Sequence, residues 1–190
     1  MNSKEISLII VFAAISVSLH PTISGLAIPS FALGRWFQFW EIPIFAALLL
    51  FGLKYAAIIA AVDTITLMVL FRGGPFTSWF NIIPFSGTLL GVFLVHRLFS
   101  RRYQKQEGQL NRKEIFFAIV SGILVRFLIG YPAFYLLLKY LTPMPDPAIF
   151  TVMIFHGIHD TILVSYSVPI SYLLAKLIRK HLNVGLTSIS

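Results

Sequence analysis

The sequence predicts an all-α membrane protein of six transmembrane helices with both termini in the cytoplasm. Three observations lead there. Of 190 residues, 57% are apolar and only 12% are charged, whereas soluble domains are nearer half apolar and a quarter charged. That much apolar surface calls for a bilayer rather than one small core. The apolar residues fall into six runs separated by polar, Pro- or Gly-containing stretches. The basic residues, which give a net charge of +8, sit at the ends of those runs and form no stripe. Their placement speaks for membrane topology and against a nucleic-acid partner.

The first run is Glu5–Leu19. It follows a single lysine and has no clearly placed small-x-small cleavage site, so it reads as a retained helix rather than a signal peptide. PTISGLAIPSFALGRWFQFW follows, with Pro, Gly and Ser for irregular backbone but many large apolar and aromatic residues. That composition predicts a loop packed on something, not a flexible linker. The second run, Ile42–Gly52, is led in by WEIP, and FGLKY is a tight turn into the third, Tyr55–Leu70. These three are short against the ~20 residues of a full crossing. The fourth, Phe80–Leu98, the fifth, Glu114–Leu141, and the sixth, Ala148–Ile178, are longer. No internal repeat is visible, and residues 1–190 read as one domain. The absence of cysteine excludes disulfides and thiolate metal sites.

Orientation follows from lysine and arginine. The loop between runs four and five carries Arg97, Arg101, Arg102, Lys105, Arg112 and Lys113, and the C-terminal end carries Lys176, Arg179 and Lys180. Lys4 and Lys54 fall on the same side, whereas the opposite connections carry only Arg35, Arg72 and Lys139. The positive-inside rule therefore places both termini in the cytoplasm and Trp36, Trp40 and Trp79 at the outer interface, where indoles favour the headgroup region.

Charges inside the runs are the main functional signal. Asp63 lies eight residues into the third run, Arg126 twelve into the fifth and Asp160 twelve into the sixth. At ~1.5 Å per residue all three sit near the bilayer midplane, where an unpaired charge costs ~2.5–3.5 kcal/mol on insertion scales. His156 and His159 are close by in HGIHD, with His156 and Asp160 four apart on one helix face. One reading is a structural ion pair of Arg126 with Asp63 or Asp160. Another is a polar floor beneath a ligand cavity, and the two are compatible. Two His and an Asp also form a candidate metal set, although no other helix adds a histidine to it. The spacing His156 to Asp160 matches part of the pattern of glutamate-type intramembrane proteases. The paired glutamates followed by arginine and the second histidine on another span are missing, so no enzymatic activity is expected. No nucleophile elbow and no phosphate loop is present, so the chain does not hydrolyse ATP itself.

VFAAISVSL in the first run has a small-xxx-small face, Ala14-Ile-Ser-Val-Ser18, flanked by Ala13 and Val17. Such faces let helices approach closely in lipid, either inside the bundle or between subunits. RWFQFWEIPIFAALLLFG then presents Glu41-Ile42-Pro43 and Phe51-Gly52, and RGGPFTSWFN ends on Asn81. In this order along nearly the whole chain, these features resemble the substrate-binding components of energy-coupling factor transporters, nearest to the riboflavin-binding type.

The resemblance implies six helices with a long first outer loop capping a cavity, and a vitamin or related small nutrient as ligand. It implies Trp36, Phe37, Phe39, Trp40, Glu41, Trp79 and Asn81 around the mouth, with polar residues of the last helix below, where His156, His159 and Asp160 stand. Arg126 is added here as a group suited to a carboxylate or phosphate. Ala13, Ala14, Val17 and Ser18 would dock on a transmembrane coupling component served by two ATP-hydrolysing subunits, in a prokaryotic plasma membrane. No cofactor is implied. Arg126 and HGIHD have no counterpart in the riboflavin pattern. The nickel and cobalt members begin Met-His, unlike MNSKE, which argues against metal uptake. A stand-alone solute carrier, a metal-dependent membrane hydrolase and a purely structural membrane subunit are the competing classes. An aromatic belt is the competing reading of WFQFW.

Overall fold

A computed structural model describes residues 3–20, 23, 38–70, 74–102 and 112–182, with side chains left undescribed at 3–5, 70, 74–81, 101–102 and 182. Among the described residues the chain is all-helical, with no strand. The helices are α1 (Ser3–Leu19), α2 (Glu41–Phe51), α3 (Leu53–Leu70), α4 (Gly74–Arg102), α5 (Arg112–Leu141) and α6 (Asp146–Leu182).

Each apolar run of the sequence falls on a helix, and most boundaries move outward, although Gly52 of the second run lies just past its helix. α4 starts six residues before the expected Phe80 because Pro75 suits a first helical turn, where its missing N–H has no intrahelical role. α6 likewise gains Asp146 and Pro147 at its start, and Arg179, Lys180 and His181 at its end. That charge order follows the helix dipole. Ile82–Ser100, Arg112–Leu141 and Asp146–His181 are long and apolar enough to cross a membrane. The outer surface agrees with that environment: Leu128 is 76% and Val69 70% exposed, and Ile10, Leu124 and Ile154 are similarly bare. Patches of this kind on a water-facing surface mark aggregation or partner sites; in hydrocarbon they cost nothing.

α2 is the core element. All ten residues from Glu41 to Leu50 are buried, and the helix packs on α1, α3, α4 and α6. The expected tight turn after it is a single residue, Gly52. Its φ of 94° lies in the left-handed region that favours glycine, and its N–H caps Leu48 O at 2.9 Å. Arg179 of α6 donates to Leu49 O, and Ser171 Oγ donates to Ser167 O at 2.7 Å or to Ile42 O at 3.0 Å.

α4 and α5 lie closest together. A Cβ at Gly87 would meet Val125 O at 2.7 Å, and one at Gly91 would meet Ser121 O at 2.6 Å. Gly87-xxx-Gly91 is thus the tightest small-residue seam described in the molecule, and it is on α4 rather than α1. The close approach brings Arg126 of α5 alongside Thr88 of α4.

Candidate functional site

The centre of the molecule is polar. Arg126, only 4% exposed, donates from Nη2 to Asp160 Oδ1 at 2.8 Å, and from Nη1 to Glu41 Oε1 at 3.1 Å and Thr88 Oγ1 at 3.2 Å. Four helices meet there: α5 supplies the guanidinium, α2 and α6 a carboxylate each, and α4 the hydroxyl. Glu41 and Asp160 are 0% and 1% exposed. A buried charge stands in hydrocarbon only when paired and hydrogen-bonded, and this arginine uses both terminal nitrogens to do so.

The pairing decides between the two expected partners in favour of Asp160. Asp63 is not a partner of Arg126; it lies on α3 beside α1, where Ser16 Oγ donates to Asp63 Oδ1 at 3.0 Å or to Trp40 O at 2.9 Å. The second carboxylate on Arg126 is Glu41 at the start of α2, which takes Nη1 while Asp160 takes Nη2. Arg126 thus spends Nη1 and Nη2 on the protein's own side chains, and its Nε has no hydrogen-bond partner among the described residues.

HGIHD extends this cluster. His156 Nε2 lies 3.4 Å from Asp160 Oδ2, and His159 Nδ1 lies 3.6 Å from Asp160 Oδ1. The side chains of both histidines are partly exposed, 25% and 19%. One nitrogen from each ring and one oxygen of Asp160 all fall within 4.8 Å of one another. The His156 ring is stacked on Phe134 of α5, centroids 4.4 Å apart and planes at 16°, which holds its Nε2 toward Asp160. Gly157 is needed beside it: a Cβ there would fall 1.6 Å from the Tyr131 hydroxyl, which donates to Met153 O at 2.8 Å. Four buried atoms of this cluster, Glu41 Oε2, Asp160 Oδ2, His156 Nε2 and Arg126 Nε, have no hydrogen-bond partner among the described residues.

Gln38 bridges the aromatic lead-in to the histidines. Its backbone N–H donates to Tyr166 Oη at 2.8 Å, and the Tyr166 hydroxyl donates back to Gln38 O at 2.7 Å. Trp40 Nε1 donates to Gln38 Oε1 at 3.0 Å, which turns the amide nitrogen toward His159 Nε2, 3.5 Å away. Phe39 packs against Tyr166, and Trp40 is buried against His20 and Phe85. Gln38, Thr88 and Tyr166 were not singled out by the sequence reading. Thr88 was detectable as the only polar residue between Gly87 and Gly91, and Tyr166 as a polar-tipped aromatic six residues beyond Asp160 in an apolar helix.

Of the other expected residues, Trp36 and Phe37 lie outside the described residues. Trp79 and Asn81 lie in the first turns of α4, with side chains outside the description. On α1 the small-residue face divides: Ala13 is in the core and Val17 half-buried, while Ala14 and Ser18 are exposed. A second buried polar group, also unanticipated, lies about 18 Å along α5 from Arg126, at ~1.5 Å per residue. There His96 Nδ1 is 2.8 Å from Glu114 Oε1, to which the Tyr172 hydroxyl donates at 3.2 Å.

No family model, no curated protein and no solved structure matches this chain.

Proposed function

We propose that this chain is the membrane-embedded solute-binding component of an energy-coupling factor importer. In this reading it crosses the membrane six times with both termini cytoplasmic, and residues 21–40 cap the outer mouth of a cavity. It takes up a vitamin or related small nutrient, with riboflavin the first to test, and hands it to a transmembrane coupling component with two ATP-hydrolysing subunits. It catalyses no reaction of its own.

One observation supports this most: the buried Glu41–Arg126–Asp160 cluster with acceptor atoms left over. A purely structural ion pair satisfies its oxygens, because each buried unsatisfied group costs about 1–3 kcal/mol. Carboxylate oxygens without a protein partner at the centre of a helix bundle offer acceptors to a polar ligand. Gln38 and Phe39, in the lead-in to α2, adjoin the cluster through His159 and Tyr166 and would add the polar and aromatic contacts common in small-molecule sites. The exposed Ala14 and Ser18 offer a flat, small-residue face for a partner helix.

The test is to purify the protein in detergent without added ligand and identify any co-purifying small molecule by absorbance and mass spectrometry. A thermal-shift panel of vitamins goes with it. A yellow flavin supports the riboflavin reading, and another vitamin-like compound keeps the importer and changes its cargo. An empty protein that no panel member stabilises overturns the reading. Uptake by cells lacking ATP-hydrolysing partners would replace it with a stand-alone carrier.

A further inference from the structure

The geometry points to a divalent transition-metal site on α6, built from His156, His159 and Asp160 and separate from any N-terminal ligation. The argument starts with two orphaned atoms. His156 Nε2 and Asp160 Oδ2 are both buried and without hydrogen-bond partners among the described residues, yet they are 3.4 Å apart. In a tetrahedral site with bonds of about 2.05 Å, neighbouring ligand atoms stand about 3.3 Å apart. The pair therefore already has the spacing of two ligands on one ion. His159 brings a third donor within 4.8 Å, close enough for a side-chain rotation to complete the set.

The surroundings fit the same purpose. Arg126 holds Asp160 by Oδ1 alone, leaving Oδ2 for an ion. Phe134 fixes the His156 ring from the other side. Supports of this kind, which orient ligands from behind, are the usual companions of metal-binding side chains. The side chains also admit a cation, since two carboxyl groups, Glu41 and Asp160, face the single guanidinium of Arg126. Two imidazoles and one carboxylate suit zinc, cobalt, nickel or iron(II) rather than magnesium or calcium. Three protein ligands leave a coordination position open. The site does not depend on the importer reading, since metal binding without nutrient uptake would leave it intact.

The experiment is a titration of tag-free, full-length protein in detergent with Co²⁺, read by its visible ligand-field bands, with metal per chain counted by elemental analysis. One Co²⁺ per chain with a low-symmetry, four- or five-coordinate spectrum, displaced by Zn²⁺, is expected. His156→Leu keeps the Arg126–Asp160 pair and so keeps the fold. Removing a ligand weakens binding at least as much as removing a supporting group, so its affinity is expected to fall by about tenfold or more. His181→Ala, at the exposed end of α6, is expected to titrate like the parent. A substoichiometric or purely octahedral spectrum, or His156→Leu binding as tightly as the parent, means an adventitious ion only and overturns the site.

Discussion

Replacing Arg126 with methionine is the sharpest test of the central cluster. The guanidinium lies 2.8 Å from Asp160 and 3.1 Å from Glu41, and all three groups are at most 4% exposed. At an effective dielectric of about 20, each attraction is on the order of 5–6 kcal/mol, much of it offset by desolvation. Removing one partner of a buried pair costs a net ~3–5 kcal/mol, because the remaining charge is stranded. Here one cation serves two carboxylates, so the upper end applies. For a chain of this size, ~1 kcal/mol moves the melting temperature by about 2–4 °C, so Arg126→Met should lower it by about 10–20 °C. The assay is thermal unfolding in detergent followed by tryptophan fluorescence. The triple variant Arg126→Met, Glu41→Gln, Asp160→Asn carries no charge there and should recover most of the loss. A single variant melting within about 2 °C of the parent, or a triple variant no better than the single, would refute the reasoning.

Three further outcomes are expected. Gly91→Leu drives a side chain into Ser121 O, separates α4 from α5 and costs at least the ~1–3 kcal/mol of ordinary overpacking, read as a lower melting temperature; an unchanged transition would mean the seam is loose. Ala14→Trp, on the exposed face of α1, should leave ligand binding and melting unchanged but abolish uptake in cells carrying the coupling subunits. Loss of binding in the purified variant would remove the docking role. Because the chain has no cysteine, Lys113→Cys and Met144→Cys, both at exposed positions bracketing α5, each give one label site. An impermeant thiol reagent should reach Met144→Cys from outside intact cells and Lys113→Cys only after permeabilisation; the reverse pattern inverts the proposed topology.

The helices were legible because lipid imposes one rule on every segment, and an apolar run without charge has few alternatives. The cluster was half legible. Arg126, Asp160 and the histidines stood out as charges and rings in apolar runs, since such residues need a reason to be there. What could not be read was which carboxylate turned toward Arg126. Asp63 stood as a candidate partner beside Asp160, whereas Glu41, just outside its apolar run, did not. The choice depends on α2 running up the middle of the bundle while α3 packs beside α1, a tertiary fact with no local signature. Likewise the small-residue motif on α1 drew attention, whereas the seam that packs most closely is Gly87-xxx-Gly91. The spacing rule applies to both, and only the neighbouring backbone distinguishes a lipid-facing alanine from a glycine in contact.

The position of α2 bears on how the chain is made. Its eleven residues reach only about 16 Å, short of the ~30 Å of hydrocarbon. Joined to α3 by one glycine, it would enter the bilayer as the arm of a hairpin rather than alone. The groups that tie it down, Asp160 to its glutamate through Arg126, Ser171 at its start and Arg179 at its end, come largely from α6. The backbone contacts at its two ends therefore wait for the last helix, while its glutamate pairs with Arg126 of the helix before. A chain cut before Asp160 would lack Asp160, Ser171 and Arg179, and with them most of the polar contacts that hold α2 in the bundle.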